Sequence, residues 1–148
     1  MNTNSYEKIL EEFCKAAHLD EPEKFIETGQ LWIDELPINF HYFSDQEFEA
    51  IQIFIDIAEI HGSSDQYFRR LLEFNFLVHR YGAGLVCIEP GSDRLSYVIT
   101  IRIEMSLTGG TLAEILDKGI TQACWIKDNY LSNQTDEKKT SNIFVPLA

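Results

Sequence analysis

Apolar residues recur along the chain with two periodicities, one typical of a helix and one typical of an extended strand. From Tyr6 onward, apolar side chains recur every three or four residues, and Asn4 with Glu7 forms a capping box before them. This pattern predicts an amphipathic helix over residues 5–18, which the segment LDEPEKF with Pro22 should end.

Strict alternation of apolar and polar residues follows the first helix. Residues 30–35 and 38–43 flank Pro37, and residues 50–60 place an isoleucine at every odd position from 51 to 57. Such alternation predicts three strands of an antiparallel sheet with one covered face.

The second half of the chain predicts a helix, two strands and a third helix. Gly82 is typical of a helix C-cap, and Pro90-Gly91 suits the centre of a turn. The bounds are residues 65–80, 84–89, 95–105 and a last helix opened by a capping box of Thr111 with Glu114. The predicted fold class is therefore α+β, an antiparallel twisted sheet with three helices in the order α-β-β-β-α-β-β-α.

One domain should cover residues 1–131. From Ser132 the run SNQTDEKKTSN is polar, which predicts a flexible C-terminal tail over residues 132–148. Its last six residues, IFVPLA, are consistent with a disordered end or with a segment that occupies an apolar groove.

Apolar residues cover most of the circumference of the second helix. On a helical wheel of residues 66–78, the polar side chains occupy only about 100° of arc. The apolar residues are Tyr67, Phe68, Leu71, Leu72, Phe74, Phe76, Leu77 and Val78. A helix that covers a sheet needs only one apolar stripe, so this helix should be buried on two sides. A homodimer would bury the second side, and so would a crowded monomer core.

Asn75 lies near the middle of this apolar arc. Buried without partners, its amide would cost about 1–3 kcal/mol, so we expect it to bond nearby backbone and to fix the register. A catalytic role would need an acid, a base or a nucleophile converging on it, and the sequence supplies no obvious set.

Composition narrows the classes of function. The formal net charge of -12 repels phosphate groups, so neither nucleic acid nor an anionic membrane is an expected partner. The three cysteines lie far apart and the four histidines lack metal-ligand spacing, which predicts reduced thiols, no metal and no other cofactor. The N-terminal residues do not resemble a signal peptide, and no apolar run is long enough to span a membrane. A cytoplasmic protein that is not an enzyme is expected.

Several short motifs resemble the class I type III secretion chaperones, the CesT/SycE-like group. The motifs are LLEFN in the second helix, the turn YGAG, the strand LVCIEP, the long strand after it and the amphipathic last helix. The opening helix and a strand containing WIDE also match the pattern of this group, so the resemblance covers roughly residues 3–131. The chain departs from the group at the turn Gly82-Ala83-Gly84, at CIEP where members often show a Leu-Asp-Pro-like turn, and in its tail.

The resemblance implies a bacterial cytoplasmic homodimer without enzymatic activity. Such a dimer binds a segment near the N-terminus of a secreted effector protein and keeps it soluble and competent for export. The resemblance also allows the ATPase of the secretion apparatus as a further partner. The resemblance places effector contacts on the first helix, at Ile9 and Phe13, and on the first three strands. It places the dimer interface on the second helix and long strand, at Tyr67, Leu71, Phe74, Asn75 and Val98.

Alternation then selects the effector-binding side chains on the strands. If the apolar odd positions of the third strand face the core, the opposite face of the three strands carries Trp32, His41, Phe43 and Phe54. An exposed aromatic patch of this kind usually marks a binding site, beside a strand edge that a partner can extend. The first helix or a loop could instead cover the patch, and a bulge would invert the assignment of a strand.

Two other function classes stay open. A small acidic α+β protein could be an immunity or antitoxin-like inhibitor of a basic toxin. A small enzyme would need polar groups that converge in a pocket, such as His79 with Glu89 or Asp56. The acidic surface itself could serve solubility or attract basic effector segments.

Overall fold

A computed structural model describes residues 3–60, 65–78, 84–104 and 106–131. In these ranges the elements are α1 Thr3–Ala16, α2 Pro22–Thr28, β1 Gln30–Ile33, β2 Leu36–Ser44, β3 Glu49–Glu59, α3 Asp65–Val78, β4 Leu85–Ile88, β5 Arg94–Arg102 and α4 Gly109–Ile126. A π-helical turn, Lys127–Leu131, continues α4. The predicted α+β class is confirmed. The single domain over 1–131 stays a prediction, and the tail, 132–148, lies outside the described residues.

The strands form one antiparallel sheet in the order β1-β2-β3-β5-β4. Its register follows the hydrophobic alternation, because the isoleucines at odd positions of β3 and the apolar residues that face the same way on β5 are all buried. These side chains are Ile51, Ile53, Ile55, Ile57, Leu95, Tyr97 and Ile99. A bulge between Asp56 and Ala58 shifts the register near the end of β3.

Helices α1 and α4 cover the buried face of the sheet. A Cβ on Gly119 of α4 would lie 2.5 Å from Ile99 Cδ1 and 3.2 Å from Ile55 Cδ1, so the helix backbone rests directly on the sheet. At Gly109 a Cβ would lie 2.2 Å from the backbone nitrogen of Phe13, and the Gly109 N–H donates to Glu12 Oε2 at 3.1 Å. Only glycine allows α1 this close to the start of α4.

Two helix predictions need correction. Helix α1 ends at Ala16, before the segment around Pro22: His18 adopts a left-handed conformation (φ 53°) and the Leu19 N–H donates to the Cys14 carbonyl at 3.1 Å. The segment around Pro22 instead opens α2, because proline is well suited to the first turn of a helix. Thr108, not Thr111, caps α4: its hydroxyl accepts a hydrogen bond from the Thr111 N–H at 3.2 Å, so the helix begins at Gly109. The predicted capping box therefore lies inside the first turn.

The remaining boundaries differ by a few residues from the predictions. β1 ends at Ile33, and β2 begins at Leu36, so Pro37 lies within β2 opposite Trp32. β5 ends at Arg102 instead of residue 105. Gly82 and the serines before α3 lie outside the described residues.

Candidate functional site

One face of the sheet carries aromatic side chains that the described chain leaves accessible. Trp32 is 72% exposed and Phe43 is 44% exposed, His41 is exposed, and Phe54 is half-buried. We call these four residues the aromatic surface. They point away from the face that α1 and α4 cover, as alternation predicted. Their role in binding stays a prediction.

The sheet register brings the aromatic surface together across β2 and β3. His41 lies opposite Gln52, and Phe54 lies opposite Asn39. The His41 and Phe54 rings meet edge to face, with 5.1 Å between their centroids. We call this pair of rings the His41–Phe54 platform; it lies beside the more exposed Phe43.

The two residues proposed on the first helix occupy a different place. Ile9 is 6% exposed and Phe13 is fully buried, and the Phe13 ring lies 5.4 Å from that of Phe25 and 5.2 Å from that of Phe40. The apolar stripe of α1 therefore packs against the core of the same chain. Ile9 and Phe13 are thus buried in this core, and their role as effector contacts stays a prediction.

A groove of about 470 Å³ continues from the aromatic surface across the open face of the sheet. Its lining includes His41 and Phe54 at one side and residues from β4 and the β4–β5 turn at the other. Asp56 in the groove forms an ion pair with Arg94, which also approaches Glu59 with 3.5 Å between Nη1 and Oε1. The groove is therefore partly apolar and partly acidic.

The groove does not assemble a recognisable catalytic set among the described residues. Asp56 and Glu89 both line it, but Asp56 is held by Arg94, and His79 lies outside the described residues. Partial burial raises the pKa of the Cys87 thiol, which favours the protonated, weakly nucleophilic form at neutral pH. In the described part of the chain, no cluster of His, Cys, Asp and Glu could hold a metal ion.

Helix α3 turns one apolar side inward and another outward. Leu71, Phe74 and Val78 are buried, and the Phe74 ring stacks on Trp125 of α4 at 6.0 Å. Leu72 is 68% exposed and Phe76 is 59% exposed. Two apolar sides were expected; Leu71 and Phe74 lie on the side that faces the core of the same chain, and their place in a dimer interface stays a prediction. The side chain of Tyr67 lies outside what the structure describes.

Strand β4, which α3 contacts, carries two further exposed apolar residues. Leu85 is 41% exposed and Ile88 is 44% exposed. Together with Leu72 and Phe76 they form what we call the α3–β4 surface. Val98 of β5 is half-buried and lies opposite Leu85 in the register.

Alternation did not single out the exposed residues on β4, because a four-residue strand is too short to show which of its faces is covered. Trp32 on β1 lies at the opposite end of the sheet from the α3–β4 surface. Phe54 lies closer to that surface, because Val98 of β5 is the register partner of both Phe54 and Leu85.

Asn75 bonds backbone, as the sequence predicted. Its Nδ2 donates to the Val86 carbonyl at 2.9 Å, and its Oδ1 accepts from the Val86 N–H at 2.7 Å. The partner is therefore β4, the strand that follows α3 along the chain. No acid, base or nucleophile is bonded to Asn75 in the hydrogen bonds of the described residues, so the structural role is favoured over the catalytic one.

Tyr97 fixes the start of β4 from the opposite side. Its buried hydroxyl accepts a hydrogen bond from the Gly84 N–H at 3.0 Å. Burial raises the pKa of the Tyr97 phenol, and the bond from Gly84 partly opposes that rise. A Cβ on Gly84 would lie 2.5 Å from the Val98 carbonyl oxygen, so the entry into β4 requires glycine.

Comparisons with known proteins agree with this architecture. The model of the Tir chaperone protein (CesT) family matches residues 8–124. A chain from a structure titled "Crystal Structure of the ExsC-ExsE Complex" superposes with a TM-score of 0.69 at 18% sequence identity. The superposition covers 86% of this chain and 95% of that one. No curated protein matches the sequence. Among the described residues, none of the helices is long and apolar enough to cross a bilayer.

Proposed function

Because the chain belongs to the Tir chaperone (CesT) family, we propose that it is a type III secretion chaperone that binds an N-terminal segment of a cognate effector. Binding keeps that segment soluble and competent for export. The observation that carries the proposal is the aromatic surface, which lies open on the sheet of a protein from a chaperone family.

The aromatic surface has the chemistry that an extended apolar segment needs. Trp32, at 72% exposure, offers a large apolar area at little cost in side-chain entropy, and tryptophan is enriched among residues that dominate binding energy. Phe43 and the His41–Phe54 platform extend this area across neighbouring strands. An effector segment would place alternate side chains on these rings.

The effector segment can also use the edge of the sheet. β1 is a terminal strand of the sheet and carries Trp32, so backbone pairing along β1 would bring the ligand's side chains beside the aromatic surface. Main-chain bonds would supply affinity for many sequences, and the aromatic residues would select apolar side chains.

The α3–β4 surface is the proposed homodimer interface. Its residues lie on α3 and on the last strand of the sheet, whereas Trp32 lies on the first. Association of two copies through Leu72, Phe76, Leu85 and Ile88 would leave Trp32 of each copy, at the opposite end of its sheet, open to a ligand. No observation on the described residues assigns a surface to the secretion-apparatus ATPase.

The experiment that tests the function is affinity capture from a host with an active type III secretion system. Wild-type protein and the Trp32→Ala/Phe43→Ala variant serve as paired baits, and mass spectrometry identifies what each retains. We expect the wild type to retain a secreted protein that the variant loses, and limited proteolysis of the complex should protect the N-terminal region of that protein.

One outcome would contradict the proposed function, and another would contradict only its binding site. Retention of a basic toxin by the wild type would favour an acidic inhibitor instead. Equal retention of the same effector by both baits would leave the chaperone function standing but would remove the aromatic surface as its binding site.

A further inference from the structure

The outer edge of β4 is a place where unwanted strand pairing would be expected. β4 pairs with β5 on one side and is the last strand of the sheet. An edge strand presents backbone N–H and C=O groups that can pair with another chain. Leu85 and Ile88 on this strand are 41% and 44% exposed, which adds apolar attraction to the same edge.

Asn75 occupies this edge with two hydrogen bonds. Val86 donates its N–H to Asn75 Oδ1 at 2.7 Å, and its carbonyl accepts from Asn75 Nδ2 at 2.9 Å. In an antiparallel sheet, two residues of neighbouring strands exchange the same pair of bonds. The Asn75 amide therefore satisfies Val86 as a residue of a further strand would.

The residue type fits this use. A carboxamide carries a donor and an acceptor on one planar group, whereas an aspartate at neutral pH could only accept. Leu71, Phe74 and Val78 on the same helix are buried, so α3 is anchored and holds Asn75 against β4. Asparagine is only an average helix former, and Asn75 occupies a half-buried helix position where its amide makes these two bonds.

We propose that Asn75 closes the β4 edge to strand addition by a second copy of this chain. Copies then meet at the α3–β4 surface through side chains, and a continuous intermolecular sheet through β4 is prevented. This inference concerns how the chain associates and does not depend on which effector it binds.

The test compares Asn75→Ala with Glu73→Ala, a change at an exposed position of the same helix. Losing the amide exposes both backbone groups of Val86, so Asn75→Ala should raise the weight-average mass at least about twofold over the wild type at equal concentration. Multi-angle light scattering measures the mass, and infrared spectroscopy should show added intermolecular sheet. Glu73→Ala should keep the wild-type mass.

A second substitution separates edge pairing from general instability. Cys87→Lys places a charge on an exposed position of β4, and edge lysines block pairing between sheets. We expect Cys87→Lys alone to keep the wild-type mass, and Asn75→Ala/Cys87→Lys to return to it.

A structural role alone would give a different pattern. If Asn75→Ala lowers the melting temperature but keeps the wild-type mass, or if Cys87→Lys leaves the larger species in place, the proposal is wrong. Asn75→Asp keeps the acceptor for the Val86 N–H, and it replaces Asn75→Ala in the mass measurement if the alanine variant does not fold. It should form the same larger species at higher concentration, and a wild-type mass at all concentrations would overturn the proposal.

Discussion

At the scale of single residues, two phenylalanines on α3 have opposite environments although they are two positions apart. Phe74 is fully buried against Trp125, and Phe76 is 59% exposed. Both lie on the broad apolar arc of the helical wheel, so the sequence predicted two buried sides without showing which side faced the chain's own core. The distinction depends on where α4 and β4 lie, and neither position is encoded in the local pattern.

We predict that Phe74→Ala lowers the free energy of unfolding by about 3–5 kcal/mol, because it leaves a cavity beside Trp125. Phe76→Ala should lower it much less, and any loss should depend on protein concentration because it comes from association. Urea denaturation at two protein concentrations measures both. Equal, concentration-independent losses would contradict the assignment of the two side chains.

Asn75 shows the same limit of sequence reasoning. That its amide would bond backbone followed from the cost of burying it, and the structure confirms it. The identity of the partner, Val86, could not be predicted, because the two residues meet only after the chain has turned from α3 into β4.

At the scale of elements, the β1–β2 hairpin has an unusual turn. Asp34 and Glu35 connect the strands with φ values of 51° and 64°. Two positive φ values are required by a type I′ turn, where Asn-Gly is the favoured pair, so a glutamate at the second position stores strain. The hairpin itself was predictable from alternation. Its tight turn was not, because the pair Asp-Glu does not indicate one.

We predict that Glu35→Gly raises the free energy of unfolding by about 1 kcal/mol, because it relieves a left-handed conformation. Glu114→Gly, at an exposed position inside α4, should lower it by about 1 kcal/mol. Chemical denaturation of both variants measures the changes. A destabilised Glu35→Gly protein would show that the Glu35 side chain contributes more than its backbone costs.

Helix α2 was missed for a related reason. Pro22 predicted the end of the first helix, but α1 already ends at Ala16, and the proline stands at the start of the next helix. The aromatic contacts of Phe25 with Phe13 and Phe40 keep this short helix in place, and such long-range packing is invisible in a single segment.

At the scale of the whole molecule, Trp32 and the α3–β4 surface lie at the two ends of the sheet, and Phe54 lies between them. The aromatic surface lies on β1 to β3, and the α3–β4 surface lies at the other end. Alternation predicted the first surface correctly, because long strands with one covered face show their pattern clearly.

We predict that Leu72→Glu and Phe76→Glu each convert a dimer into folded monomer, because they place a charge in the α3–β4 surface. Light scattering gives the mass, and circular dichroism reports the fold. Glu73→Ala, on the same helix, is the control and should remain dimeric. A dimer that survives both glutamate substitutions would move the interface elsewhere.

The net charge of -12 acts over the whole surface. If it attracts basic effector segments, affinity should fall as salt rises, since a Debye length of about 8 Å at physiological ionic strength screens such long-range attraction. Titrations of the effector segment at low and high salt measure how the affinity depends on salt. Affinity that does not change with salt would assign the acidic surface to solubility alone.

The most direct test of the central claim is calorimetric titration of the captured effector's N-terminal segment into two proteins, the wild type and the Trp32→Ala/Phe43→Ala variant. We predict at least about tenfold weaker binding to the variant, with the dimer mass unchanged, because exposed aromatic anchors dominate such interfaces. Lys118→Ala, at an exposed position of α4, should bind as the wild type does. Equal affinity for the wild type and the double variant would contradict the claim that the aromatic surface is the effector-binding site.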